Sequence, residues 1–228
     1  MSGLSPAGFR SWGLRPSLGP LDADLALVPG ASALYLFDEG AGTVLTDYSG
    51  NGNHGTLGAA ASAPTWGPLG LTFASSQYVS LPQFTFAGAF SAIWVAERPS
   101  TATGFDFVLA DANDATNKLG YNTGAAALMI RVGNTTNTTL AQPSGYHSVA
   151  VTRSDTGGVS AGGNGALSAL FTDADAAAFD RVGYEGSNGL AATVAALLLY
   201  SFELTARQAA QSHAALRSIV APRGIVLP

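Results

Sequence analysis

Most of the chain after residue 30 consists of short apolar runs separated by turn residues. Several runs alternate apolar and polar positions with a period of two, and they are rich in β-branched and aromatic residues. Such runs are typical of β-strands that bury one face. The predicted strands are 33–37, 69–73, 78–81, 90–95, 105–109, 128–132, 147–152 and 167–171.

The segments between these runs are rich in Gly, Asn, Asp, Ser and Thr, which favour turns. They are 47–55, 101–104, 134–139, 155–158, 162–165 and 185–189. Strands linked by short turns, without intervening helices, indicate a sandwich of antiparallel sheets instead of βαβ units.

One helix is predicted near the C-terminus. Thr205 and Gln208 have the spacing of a capping box, in which each side chain bonds a free N–H group of the first turn. The stretch 206–218 contains no Gly or Pro, and Pro222 follows it. The sequence therefore predicts an all-β protein with one short C-terminal helix.

Both ends of the chain differ from this pattern. We interpret residues 1–30 as an extended N-terminal arm and residues 219–228 as an extended C-terminal tail, because Pro and Gly interrupt the first and Pro the second. Large apolar residues without helical or strand spacing indicate that the arms dock on a neighbouring subunit. These candidate partner-binding residues are Phe9, Trp12, Leu14, Leu18, Ile225 and Leu227. The alternative is that the first segment is a disordered leader.

Composition narrows the classes of partner. The chain is 47% hydrophobic and 11% charged with a formal net charge of -5, and its basic residues are scattered singly, which argues against nucleic acid. It has no cysteine, so disulfides and thiol chemistry are excluded. The longest apolar stretches are too short to span a bilayer, and the first thirty residues lack a signal-peptide run. We expect neither Sec export nor membrane insertion.

The string ALYLFDEGAGT at 33–43, followed by DYSGNGNHGTL at 47–57, resembles the opening of laminin G-like domains of the concanavalin A-like lectin/glucanase superfamily. The strand 147–153 and the closing strand in 190–200 are similar to later parts of those domains. The resemblance covers residues 31–218 and implies a jelly roll of two curved antiparallel sheets. This superfamily includes lectins, glycosidases, adhesion modules and structural domains of phage particles, so the resemblance leaves the function open.

Catalytic chemistry has little support in the sequence. Glycosidases of this fold place paired carboxylates at alternate positions of one strand. The four glutamates, Glu39, Glu97, Glu185 and Glu203, lie more than ten residues apart. We therefore expect a protein that is not an enzyme.

Two loops have oxygen ligands at the spacing of a calcium site. The loop from Asp47 lacks the bidentate carboxylate at its twelfth position, so we expect Asp47 to bond backbone N–H groups instead. The second loop, with Asp111, Asn113 and Asp114, is the candidate calcium site, and a polar hairpin is the alternative. No other cofactor is indicated.

The candidate glycan-stacking residues are Trp66 and Tyr48, although a Trp66 that folds over the end of a sheet is the alternative. His147 begins an alternating strand, which predicts a partly buried and hydrogen-bonded side chain.

Two functions fit these observations. The first is a structural protein on the head, neck or tail of a phage or phage-like particle, whose arms contact other virion proteins or copies of itself. The second is an adhesion module that binds glycans of a host cell surface.

Overall fold

The computed structural model describes residues 27–74, 76–97, 104–112, 116–184, 186 and 188–228. Within them, two antiparallel sheets of eight strands each pack face to face. This arrangement is a jelly-roll sandwich, and it confirms the fold that the alternating strands predict.

Sheet A contains eight strands. They are β1 (Ala31–Tyr35), β4 (Thr65–Gly67), β5 (Gly70–Thr72), β7 (Phe90–Glu97), β12 (Tyr146–Arg153), β13 (Gly158–Gly163), β14 (Ser168–Thr172) and β16 (Thr193–Tyr200). Their spatial order is β14-β13-β12-β7-β16-β5-β4, and β1 pairs with β16. The centre of the sheet is therefore built by β12, β7 and β16.

Sheet B contains the other eight. They are β2 (Val44–Leu45), β3 (Gly55–Leu57), β6 (Tyr78–Phe86), β8 (Phe105–Ala110), β9 (Lys118–Asn122), β10 (Ala127–Val132), β11 (Thr135–Asn137) and β15 (Ala177–Gly183). Their spatial order is β11-β10-β9-β8-β15-β6-β3-β2. The strands β8, β9 and β10 form a meander of consecutive hairpins.

The core lies between the sheets and is filled by side chains at alternate strand positions. Aromatic rings dominate one part of it, where Phe90 of sheet A contacts Phe86 and Phe179 of sheet B. Burying each such side chain stabilises the fold by roughly 1.5 to 3 kcal/mol. These contacts fix the distance between the two sheets.

The outer face of sheet A is also covered. Helix α1 (Ala206–Val220) begins with the predicted capping box of Thr205 and Gln208 and buries Leu216 and Val220 against this face. Residues Ile225 and Leu227 belong to the same apolar cluster. In the part of the chain that the structure describes, no helix is long and apolar enough to cross a membrane.

Each of the eight predicted strands coincides with an observed strand, with ends that differ by a few residues. The segment 134–139 was predicted as a turn, but it contains the short strand β11, which pairs with β10. The predicted turn 162–165 is only partly a turn, since β13 continues to Gly163. Asn164 and Gly165 both have positive φ, as a tight turn between right-twisted strands requires.

Candidate functional site

The outer face of sheet B is the candidate site, because helix α1 covers the equivalent face of sheet A. Among the described elements, no helix packs on this face of sheet B. Side chains point to it from alternate positions of each strand, since their neighbours Leu119, Ile130 and Val182 point into the core.

A small apolar cluster forms the floor of this face. It consists of Phe107, Ala110 and Met129, which are buried. The ring of Phe105 stacks on Phe107 with centroids 6.1 Å apart, and 39% of Phe105 is exposed. The Nζ atom of Lys118 lies 5.0 Å from the centroid of the Phe107 ring. The amino group of Lys118 therefore lies beside an aromatic ring, and Lys118 itself is 6% exposed.

A single row of paired residues crosses this face through all eight strands. From one edge to the other it contains Thr136, Arg131, Lys118, Ala110, Arg181, Ser80, Thr56 and Val44. Three of its members are basic and none is acidic, although the whole chain has 10 basic and 15 acidic residues. Adjacent strands are about 4.8 Å apart, so Arg131 and Arg181 are separated by roughly 14 Å.

Both arginines of the row are half-buried. The guanidinium of Arg181 lies 4.3 Å from the ring centroid of Tyr78, which holds it flat against this face. The Nε atoms of Arg131 and Arg181 are buried and have no hydrogen-bond partner. Each guanidinium therefore has an unused donor beside the apolar floor.

Two carboxylates lie at the rim of this face, and both accept hydrogen bonds. Asp180 Oδ1 accepts from the backbone N–H of Ala112 at 2.8 Å. Asp111 Oδ2 accepts from Nε2 of Gln83 at 3.3 Å. These contacts tie the β8–β9 hairpin to β15 and β6.

A chain of polar side chains crosses the core between the sheets. Trp94 Nε1 donates to the Tyr121 hydroxyl at 2.8 Å, and this hydroxyl lies 2.9 Å from His147 Nε2. His147 Nδ1 lies 2.8 Å from the carbonyl of Gly145, which can only accept, so Nδ1 carries the proton and Nε2 accepts from Tyr121. Burial raises the pKa of the Tyr121 hydroxyl. The prediction of a hydrogen-bonded His147 is confirmed, and the side chain is fully buried instead of partly buried.

The structure also brings together a serine and a histidine that are far apart in sequence. Ser148 Oγ lies 2.7 Å from His213 Nδ1, and His213 Nε2 lies 3.1 Å from the carbonyl of Pro228. These are the residue types of a nucleophile and its base. Ser148 is 2% exposed beneath helix α1, so the pair anchors the helix and the tail to sheet A and has no access to a substrate.

The candidate glycan-stacking residues lie away from the outer face of sheet B. Trp66 is in β4 of sheet A, packs against the core and donates from Nε1 to the carbonyl of Gly42 at 2.9 Å. This is the alternative in which the ring folds over the end of a sheet. Tyr48 is 47% exposed and donates to Asp38 at 3.3 Å.

The candidate calcium loop is described only in part. Asp111 is buried and accepts from an amide nitrogen, and Asn117 Oδ1 accepts from the N–H of Gly133. Asn113 and Asp114 lie outside the described residues. Within the described ranges, no group of three acidic or histidine side chains gathers as metal ligands would.

The loop from Asp47 forms the hydrogen bonds that the sequence predicts. Asp47 Oδ1 accepts from the N–H groups of Leu34 and Ser49, and Oδ2 accepts from the Ser49 hydroxyl and the N–H of Asn53. Burial alone would raise the pKa of Asp47, but these hydrogen bonds lower it below its usual value. Asp47 therefore organises the loop.

The predicted partner-binding residues have different outcomes. Phe9, Trp12, Leu14 and Leu18 lie outside the described residues. Ile225 and Leu227 are 2% and 0% exposed, because the tail turns back at Gly224 and packs on the outer face of sheet A. The prediction that these two side chains contact a partner is therefore wrong: they complete the apolar cluster under helix α1.

The site residues predicted from the sequence do not include Lys118, Arg131 or Arg181. The signal for Lys118 and Arg131 was present, since each alternates with core residues of a strand and so points outward. Their alignment with Arg181 depends on the pairing of β9 with β8 and of β8 with β15. Spacing along the chain does not reveal that register.

No protein-family model matches the sequence, and no curated protein does either. Solved structures show the fold. A Trypanosoma rangeli sialidase matches with a TM-score of 0.67 and 14% identity over 85% of this chain and 34% of that chain. Domain 4 of AbnA, a GH43 extracellular arabinanase from Geobacillus stearothermophilus solved in complex with arabinotriose, matches with a TM-score of 0.56 and 19% identity, over 81% of this chain and 98% of that chain. The binding domain of botulinum neurotoxin serotype G has a TM-score of 0.56 and 13% identity, over 83% of this chain and 52% of that chain.

The matches and the sheet topology define the class of fold, which is a jelly-roll β-sandwich. The chain spans about a third of the sialidase chain that it matches. At these identities the likeness shows the fold alone.

The prediction that the chain is not an enzyme is contradicted by these neighbours, because sialidases and an arabinanase contain this sandwich. The prediction rested on carboxylates placed close together on one strand. That pattern describes one catalytic geometry, and residues far apart in sequence can meet in a folded protein.

Proposed function

We propose that the sandwich is a carbohydrate-binding domain and that the outer face of sheet B is its binding surface. The observation that carries this proposal is the exposed ring of Phe105, which stacks on Phe107 beside the amino group of Lys118. An apolar floor with a few polar groups is typical of ligand sites, and a sugar ring has both an apolar face and hydroxyl groups.

The similar solved structures support this proposal. The AbnA domain, 98% of which aligns with this chain, was solved with an oligosaccharide. The sialidase match covers about a third of a larger carbohydrate-active protein. We accordingly propose that this domain holds a polysaccharide.

Replacement of Phe105 tests the surface. Phe105→Ala removes the exposed ring, and we expect the affinity for a bound oligosaccharide such as arabinotriose to fall about tenfold, or 1.4 kcal/mol, in isothermal titration. Tyr48→Ala is the matched control, since Tyr48 is an exposed aromatic residue outside this face. A loss of affinity in Tyr48→Ala with no change in Phe105→Ala would move the site to the loop that contains Tyr48.

We also propose that the chain is displayed on a phage or phage-like particle, where its N-terminal segment contacts other virion proteins or copies of itself. The segment carries Phe9, Trp12, Leu14 and Leu18, and the apolar clusters of the described residues begin only at Leu27 and Val28. A variant without residues 1–26 should keep its melting transition and fail to join the particle. Normal assembly of that variant would refute this role.

A further inference from the structure

The basic row on the outer face of sheet B is unusual for this chain, whose formal net charge is -5. Basic side chains that share one face raise the local concentration of anions at that face, even on an acidic protein. The eight residues of the row include Arg131, Lys118 and Arg181 and no carboxylate, while Asp111 and Asp180 lie at the rim of this face.

We propose that this face selects polysaccharides that carry carboxylate groups, and that Arg131 and Arg181 pair with those carboxylates. The inference rests on the proposed carbohydrate-binding function and names its substrate class. It goes beyond the neutral oligosaccharide bound by the AbnA domain.

The state of the two guanidinium groups supports a carboxylate. The Nε–H and a neighbouring Nη–H of arginine form a planar fork that matches the two oxygens of a carboxylate. The Nε atoms of Arg131 and Arg181 are buried without a hydrogen-bond partner, and a buried donor without an acceptor is costly. Each arginine is half-buried, so a ligand carboxylate supplies the missing acceptor once the guanidinium turns its Nε–H toward solvent.

The separation of the two arginines supports a polymer. Three strand spacings place their Cα atoms roughly 14 Å apart. The guanidinium of Arg181 lies against Tyr78 of β6, on the side of β15 away from Arg131, so one carboxylate does not meet both arginines. A chain of sugars can therefore cross this face while acidic groups on different sugars meet the two arginines.

Affinity electrophoresis of the full chain tests this proposal with four polymers: polygalacturonic acid for carboxylates, dextran sulfate for sulfates, double-stranded DNA for phosphates and arabinan as a neutral sugar. We expect polygalacturonic acid to bind at least about tenfold more tightly than arabinan, with a preference that decreases as salt is added. Tighter binding of dextran sulfate or DNA than of polygalacturonic acid would overturn the proposal.

The variants Arg131→Gln and Arg181→Gln should each weaken binding of polygalacturonic acid about tenfold and leave binding of arabinan unchanged. Arg131→Lys keeps the charge without the fork, so it should fall between the wild type and Arg131→Gln. The control is Arg207→Gln, which removes the same charge from an exposed position on helix α1. Circular dichroism and thermal melting establish that each variant is folded.

The outcomes separate the two proposals. Equal binding of arabinan and polygalacturonic acid, or glutamine variants that bind polygalacturonic acid like the wild type, would overturn the carboxylate preference alone. Absence of binding to every sugar polymer would overturn the proposed function as well.

Discussion

Replacement of Asp47 should destabilise the fold, because its carboxylate holds the loop between β1 and β3 together. Asp47 is 6% exposed, and its two oxygens accept four hydrogen bonds of 2.9 Å each. Three of the donors are backbone N–H groups, which belong to Leu34, Ser49 and Asn53. In Asp47→Ala these three groups lose their acceptor.

The magnitude follows from these contacts. A net loss of about 1 kcal/mol per backbone hydrogen bond gives about 3 kcal/mol for Asp47→Ala. Asp47→Asn should lose less, about 1 to 2 kcal/mol, because one oxygen remains and the Ser49 hydroxyl can turn to accept from the new amide. In this variant only the N–H of Asn53 loses its acceptor, because it then faces the new NH₂ group, which is a donor.

Guanidinium chloride denaturation at pH 7 and at pH 3 measures both effects. The hydrogen bonds lower the pKa of Asp47 in the folded state. Its ionised form therefore stabilises the fold fully above the unfolded value of about 3.9, and this contribution is lost as the pH falls through the folded pKa. The difference between wild type and Asp47→Asn should narrow at pH 3.

The matched control is Glu203→Gln, which neutralises an exposed carboxylate. We expect it to change the free energy of unfolding by less than about 0.5 kcal/mol. An Asp47→Ala variant within about 1 kcal/mol of the wild type would refute the reasoning, since buried donors would then have lost their acceptor at little cost.

Two further predictions concern buried groups. Tyr121→Phe removes the hydroxyl that accepts from Trp94 and donates to His147. Denaturation should show that the free energy of unfolding falls by about 1 to 3 kcal/mol. An unchanged denaturation midpoint would contradict the stabilising role of these hydrogen bonds. Burial lowers the pKa of His213 in the folded state. The free energy of unfolding should therefore decrease as the pH falls below the pKa of an unfolded histidine, about 6.5. His213→Gln should remove this contribution to the pH dependence between pH 7.5 and 5.5. An equal dependence in the variant would place its cause elsewhere.

The sheet architecture could be predicted from the sequence because half of the sixteen described strands are apolar runs of strand length, several with a period of two. The strands that the runs did not predict include the two- and three-residue strands β2, β3, β4 and β11, and also β9, β13 and β15. Gly120 in β9 and the small residues around Gly162 in β13 weaken the pattern. The helix was predicted from its capping box, and its end at Val220 lies two residues beyond the predicted one. Local signals were therefore sufficient where apolar side chains are large.

The candidate site could be predicted only in part, because it depends on the pairing register between the strands of sheet B. Arg131 and Arg181 are fifty residues apart in sequence, and the strands β8 and β9 bring them into one row. The tail was misassigned for a similar reason. The apolar side chains of Ile225 and Leu227 can be buried against a partner or against the chain itself, and the sequence does not distinguish the two. In the structure they pack on the outer face of sheet A.

Nuclear magnetic resonance most directly tests the claim that the outer face of sheet B binds sugar. Amide chemical shifts of the full chain would be recorded while arabinotriose, and separately trigalacturonic acid, is added. We expect the perturbed amides to cluster at Phe105, Lys118 and Arg131, with larger perturbations at Arg131 and Arg181 for the acidic sugar. Perturbations centred on Tyr48 and Trp66, or on helix α1, would contradict the account.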